Sequence, residues 1–324
     1  MIDIKKFTET DEEFKELARI DNLVNHDSID CPDDDKRQWS IRDKSIIRNR
    51  LLLYKDNILI GALYYSQGRN ENSKTVFYTL NLDPNYNNKG FRKLLYNKML
   101  TEVKSFNCNL VHTSIYDHPN YNEHKKLLEK EGFKLVQTNR EYSCDITKID
   151  LKKYDTLIAK LENHGIKFYD SKEEMVKNDK KFPNHFTKLE ELEWITEQDI
   201  PIPEDIKHTR VPYDHWLKLC HDFYDNSYGV DIVAVYKKQY IASTDIEVNK
   251  FEPNKGWTGA LGVLRNFRRR GIATALKIKA IEKLLKKGVT ELRTDNEKNN
   301  PMYKINVALG FKPVPFSLDY SKKI

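Results

Sequence analysis

Two kinds of apolar spacing take turns along this chain. Alternating or continuous apolar runs at 2–7, 50–54, 58–65 and 77–83 predict strands, and the stretch up to about position 48 predicts helices. A helix follows the strand at 77–83 and leads to a strand ending near Ile115. A closing helix ends near Glu131, and another strand starts at Phe133. The order then begins again. After a connection at 145–155, Leu157 and Leu161 mark a helix stopped by Gly165, and 166–169 reads as a strand. The segment 173–195 is charged with helical spacing, Ile200-Pro201-Ile202-Pro203 is a rigid extended break, and 213–223 predicts a helix. Segments 230–236 and 240–248 read as a hairpin turned by Lys237-Lys238-Gln239. A longer turn at 251–255 leads to a strand at 257–263. Ile272, Ala275, Leu276, Ile281, Leu284 and Leu285 fall at helical spacing with Gly288 at the C-cap position, and 289–294 predicts a buried strand.

The junction between the strand at 257–263 and the helix carries the most chemistry. Arg268-Arg269-Arg270-Gly271 precede Ile272, Ala273 and Thr274, so a basic, glycine-containing turn opens a helix. The first amides of a helix lack intrahelical partners and, with the helix dipole, attract anions. Gly271 allows close backbone approach, and Ala273 keeps the next position small. This is an arrangement for a pyrophosphate. Downstream, Asn299-x-x-Met302-x-x-x-Asn306-x-x-x-Gly310-Phe311 predicts a second, Asn-led helix running into a strand.

Arg268-x-x-Gly271-x-Ala273 resembles the acetyl-CoA pyrophosphate loop of the GNAT superfamily of N-acetyltransferases, and the downstream pattern has the spacing of that family's next helix. The first half repeats the landmarks. Gly90 and Gly132 are 42 positions apart, and Gly271 and Gly310 are 39 apart. The resemblance therefore implies an α/β (α+β) fold of two tandem GNAT-like domains, at 1–148 and 149–324, each a mixed, mostly antiparallel sheet flanked by helices. In the first copy Asn87 stands at the place of Arg268, Arg92 at that of Ala273, Tyr121 at that of Asn299 and Leu128 at that of Asn306. That copy is expected to be a substrate-shaping or scaffold domain, with a degenerate second acetyl-CoA site as the alternative.

Composition narrows the partners. Lys and Arg number 55 against 49 Asp and Glu, a formal charge of +6, and the two signs are interspersed, as in 172–181, rather than gathered on a basic face. Neither nucleic acid nor a membrane is expected as a partner. Cys31, Cys108, Cys144 and Cys220 form no C-x-x-C pair, so reduced core cysteines and no metal are expected. With no basic-then-apolar leader and no membrane-length apolar run, a cytoplasmic monomer or homodimer is expected.

The resemblance also implies where the reaction takes place. Acetyl-CoA would run along the backbone of Leu261, Val263 and Leu264, with Arg268, Arg269, Arg270, Gly271, Ile272, Ala273 and Thr274 at the pyrophosphate, Asn299 at a polar cofactor group and Met302 beside the pantetheine arm. A protonated amine needs a base before it attacks a thioester. The strand at 257–263 holds no carboxylate, so Asp245 and Glu247, on one face of the preceding strand, are the candidates, with a solvent-facing charged pair as the alternative. Where the family places a tyrosine acid this chain has Asn306, and Tyr303, one turn earlier, is the possible substitute. The expected function is acetyl-CoA-dependent N-acetylation of a primary amine of a small molecule by direct attack in a ternary complex. The alternatives are a protein or peptide N-acetyltransferase and a non-catalytic acyl-CoA-binding sensor.

Overall fold

Buried β-branched and aromatic runs become strands, and amphipathic runs become the helices that cover them. The computed structural model describes residues 1–324 other than 26, 88, 89, 298, 299 and 301, and its backbone divides into two units. The first comprises Met1–Asn139, Ile202–Thr209 and Pro315–Ile324; the second comprises Arg140–Pro201 and Arg210–Val314.

The first unit contains β1 (Ile2–Lys6), α1 (Asp11–Val24), α2 (Pro32–Ile41), β2 (Arg48–Lys55), β3 (Ile58–Gln67), β4 (Thr75–Leu82), α3 (Phe91–Val103), β5 (Leu110–Tyr116), α4 (Asn122–Lys130) and the start of β6 (Lys134–Asp145). The second contains the end of β6, then α5 (Asp155–Asn163), β7 (Ile166–Asp170), α6 (His185–Glu197), α7 (Tyr213–Asn226), β8 (Val230–Tyr236), β9 (Gln239–Val248), β10 (Lys255–Val263), α8 (Ile272–Lys286), β11 (Glu291–Glu297), α9 (Tyr303–Ala308) and β12 (Lys312–Pro313). The C-terminal strand β13 (Ser317–Lys323) belongs to the first unit.

In the first unit the strand order is β1-β2-β3-β4-β5-β13-β6, antiparallel except for the parallel pair β4 and β5, which α3 connects. Its core joins Leu51, Leu53, Ile60 and Leu63 of the sheet to Leu95, Tyr96, Met99 and Val103 of α3. The second unit repeats the plan as β6-β11-β10-β9-β8-β7, with α8 connecting the parallel pair β10 and β11. One face of that sheet packs Ile232, Ala242 and Ile246 against Ala275, Leu276 and Ile278 of α8. The other face packs Val233 and Tyr240 against Leu189 and Leu192 of α6.

Three expectations are corrected in detail. The helical stretch expected at 173–195 is a single wide turn at Ser171–Met175 followed by α6, which starts only at His185. Pro183 fixes its own φ and lacks a donor, and Asn184 then takes a left-handed conformation at φ +57° to open α6. The strand expected at 289–294 lies at Glu291–Glu297. Of the four free cysteines only Cys144 is fully buried, while Cys31, Cys108 and Cys220 are half-buried.

Candidate active site

In the second unit the sheet opens where β10 and β11 part. They pair in parallel only at Lys255↔Glu291, Gly256↔Leu292 and Trp257↔Arg293; beyond these, no register pair joins them among the described residues. On its other edge β10 stays on β9 but slips. Thr258 faces Ile246 and Leu261 faces Thr244, so three steps of β10 span two of β9. Such a bulge bends a strand and re-aims its backbone.

Asp245 occupies the bulge. Its Oδ1 accepts the Ala260 backbone N–H at 2.9 Å, and a Cβ on Gly259 would lie 1.9 Å from its Oδ2. Glycine at 259 is therefore the condition for seating the carboxylate. Burial pushes the Asp245 carboxyl up to about 6, while the Ala260 N–H draws it down and Glu247 raises it further. Glu247 faces Trp257 across the strands and is exposed. Of the two candidate bases, only Asp245 lies at the bulge.

Past β10 the chain turns through Arg265–Phe267 into α8. Gly271 is the N-cap at φ +85°, no side chain caps the helix, and the first intrahelical bond runs from the Ala275 N–H to the Gly271 carbonyl at 3.0 Å. The amides of Ile272, Ala273 and Thr274 thus lack intrahelical acceptors. The Cβ direction of Gly271 points at Leu157 of α5, whose Cδ1 a Cβ would meet at 2.7 Å. Its glycine serves the left-handed turn and the packing of α5 as well as the openness of the loop.

The three arginines have separate roles. Arg268 donates from Nε to the Val263 carbonyl at 2.8 Å and pairs through Nη2 with Asp199, which Arg265 also holds at 2.6 Å. It ties the end of β10 to the loop. Arg270 donates to the Asn266 carbonyl at 2.9 Å and lies over Phe267. Arg269, at φ +62°, is exposed and has no hydrogen-bond or ion-pair partner among the described residues. Leu264 is spoken for as well. Its N–H donates to the Ile241 carbonyl and its carbonyl accepts from the Phe267 N–H; with the Val263 carbonyl on Arg268, this leaves Leu261 and the Val263 N–H as the main-chain groups bordering the opening.

A buried polar chain joins α8, α9 and β11. Asn306 is 1 % exposed; its Oδ1 accepts from Lys277 Nζ, and its Nδ2 donates to Asn296 Oδ1 at 2.7 Å. Lys277, 2 % exposed on α8, also lies over the Phe311 ring, and burial pulls its ammonium down to about 7. Sequence reasoning passed over Lys277 because a lysine at helical spacing reads as a solvent-facing position. Tyr303 packs against the apolar core, and Met302 is half-buried with its N–H on Asn300 Oδ1 at 3.0 Å. Asn299 lies outside the described residues.

Residues 188–310 match the acetyltransferase (GNAT) family. Over the whole chain the fold superposes on a tandem GNAT protein from the clavulanic acid biosynthesis pathway, with TM-score 0.77, 14 % identity and coverage of 100 % of this chain and 98 % of that one. This chain has the tandem GNAT fold, and its second half carries the match to the acetyltransferase (GNAT) family. A GCN5-related N-acetyltransferase from Sphaerobacter thermophilus is similar over 99 % of this chain and 95 % of its own, with TM-score 0.68 and 14 % identity. A GCN5-related glucosamine N-acetyltransferase region of a fungal multi-domain β-N-acetylglucosaminidase gives 0.69 and 14 %, over 99 % of this chain and 38 % of that one. No curated protein matches the sequence. No helix among the described residues is long and apolar enough to cross a membrane.

The first GNAT-like unit has the same turn, with Gly90 as the left-handed N-cap of α3 at φ +72°. At the place of Ala273, however, Arg92 folds inward. It donates to Asn87 Oδ1 at 2.8 Å and to the Leu80 carbonyl at 3.4 Å, and burial lowers its guanidinium to about 10.

Proposed function

We propose that the second unit transfers an acetyl group from acetyl-CoA to a primary amine of a small molecule, by direct attack in a ternary complex. One observation carries this reading. A carboxylate with a near-neutral proton affinity sits on the bulge of β10, beside the opening of the sheet and one loop away from an uncapped helix N-terminus.

The residues fit acetyl-CoA, because the amides of Ile272, Ala273 and Thr274, the α8 dipole and the free cation of Arg269 make a phosphate cradle. When bound, acetyl-CoA supplies the activated acetyl thioester. Arg268 holds the end of β10, so that Leu261 and Val263 present a fixed main-chain edge to the opening. Asp245 takes the proton from the incoming ammonium. With its carboxyl near 6 it is ionised at neutral pH yet more basic than an ordinary aspartate. Asn306 is held rigid by Lys277 and Asn296 and braces α9 against α8 and β11, while Lys277 brings a titratable cation to the place that lacks the tyrosine of the family pattern.

Free-thiol release from acetyl-CoA, measured over aminoglycosides, polyamines, amino acids and short peptides with the product weighed by mass spectrometry, tests the proposal. An amine that gains one acetyl group in step with thiol release is the expected result. Release confined to peptides, or calorimetric binding of acetyl-CoA with no release for any amine, would replace it with a peptide acetyltransferase or a sensor.

A further inference from the structure

Asp245 does not stand alone on its face of the sheet. Asp231 of β8 lies directly opposite it in the β8–β9 register, and both carboxylates raise the proton affinity of Glu193 on α6, the helix that packs over that face. Like charges directly opposite on neighbouring strands destabilise a sheet. No ion pair reaches Glu193, Asp231 or Asp245 among the described residues. The neighbouring acids are supplied elsewhere: Glu190 is gripped by Arg210, and Asp170 is paired with Lys283 at 3.2 Å.

A second observation shows that the cluster is incomplete. Asp231 is 4 % exposed, and its Oδ2 accepts the Tyr224 hydroxyl at 2.7 Å, but its Oδ1 is buried with no hydrogen-bond partner. A buried carboxylate oxygen without a partner is a costly arrangement that a ligand donor would relieve. Glu193 likewise has one neutral donor, Trp216 Nε1 at 2.8 Å on Oε2. A metal ion is not what the arrangement suits, because no three His, Cys, Asp or Glu side chains among the described residues converge as metal ligands. Carboxylates spread over two strands and a helix suit an extended organic cation.

We propose that the acceptor is a diamine or larger polyamine, whose reacting nitrogen lies at Asp245 and whose second ammonium is held by Asp231 and Glu193. The inference rests on the acyl-transfer reading above and narrows its substrate class. Burial pushes Asp231 up to about 7 and Glu193 up to about 8, and Asp245 raises both further while the Tyr224 and Trp216 hydrogen bonds lower them, so an ammonium at this face would favour the ionised carboxylates. From α7, Trp216, Cys220 and Tyr224 face the same acids. Ser171 joins Tyr224 to His185, and the nearby cations Arg210, Lys283 and Lys172 are engaged by Glu190, Asp170 and the Tyr224 carbonyl.

The test is calorimetric titration of the full chain at pH 8.5 and low salt with 1,4-diaminobutane and, separately, with 1-aminobutane. The diamine is expected to bind at least ten-fold more tightly, and the gap is expected to close in Asp231→Asn and in Glu193→Gln, each checked for folding by its thermal midpoint. Equal affinity for the two amines, absence of diamine binding, or a gap that survives both substitutions would overturn the inference. Titration of acetyl-CoA into the same protein is read separately. Its failure would overturn acyl transfer, whereas a failure confined to the diamine would overturn only the second ammonium site.

Discussion

At the residue scale the account turns on Asp245 and the glycine that makes room for it. The sequence narrowed the base to two acids on one strand face; the bulge at 258–261 separates them, leaving Asp245 on the Ala260 N–H and Glu247 exposed. No periodicity announces a bulge, since the extra residue shows only when the two strands are paired. Asp245→Asn is expected to lower kcat/KM by about 100-fold and to remove the limb of the pH–rate profile near 6, with acetyl-CoA affinity retained. Gly259→Ala should reproduce that loss without touching an ionisable group, because its Cβ would meet the Asp245 carboxylate. Steady-state rates between pH 5 and 9 check both. A wild-type profile in either variant would remove Asp245 from the chemistry.

At the element scale the loop and α8 were readable from Gly271, the flanking apolar run and Gly288, because helix punctuation is local chemistry. What surrounds the loop was not readable. Leu157 comes from α5, more than a hundred positions earlier, and fills the space a Cβ at 271 would need. Arg268, expected at the pyrophosphate, is engaged by Asp199 and the Val263 carbonyl, two partners with no mark in the loop's own sequence. Gly271→Ala is expected to cost about 1–3 kcal/mol, through both the left-handed backbone and the contact with Leu157. In urea unfolding, Leu157→Ala should relieve only the contact part, giving a coupling of about 1 kcal/mol in the double-mutant cycle. Strict additivity of the two changes would show that the contact carries no energy.

At the scale of the whole molecule, the repeated landmarks made the tandem plan legible. The membership of β13 and of Ile202–Thr209 in the first unit was not, because pairing across 200 or so positions leaves no local mark. The unusual charges of the second unit act on its stability as a whole. Asp245, Asp231 and Glu193 have folded-state values of about 6, 7 and 8, above those of ordinary carboxylates, so the native state binds more protons than the unfolded chain between about pH 4 and 8. Stability from these groups is present at low pH and is lost as pH rises through that window. Lys277 works in the opposite sense. Its folded value near 7 lies below that of a free lysine, so its burial penalises the native state at low pH and relaxes as pH rises from about 7 to 10. Thermal midpoints measured from pH 5 to 10 should therefore show Asp231→Asn flattening the fall below pH 8, and Lys277→Met removing the recovery above it. Slopes identical to wild type in both variants would contradict the assignment of these charges.

The claim that α8 of the second unit holds the donor is tested most directly by calorimetric titration of acetyl-CoA into the wild-type protein and Ala273→Asp. A carboxylate in the first turn of a helix favours the helix dipole, so the variant should keep or raise its thermal midpoint while repelling phosphate from the Ile272, Ala273 and Thr274 amides. The account predicts one acetyl-CoA bound per chain in the wild type and none in the folded variant. Equal binding by both would place the donor elsewhere in the molecule and contradict it.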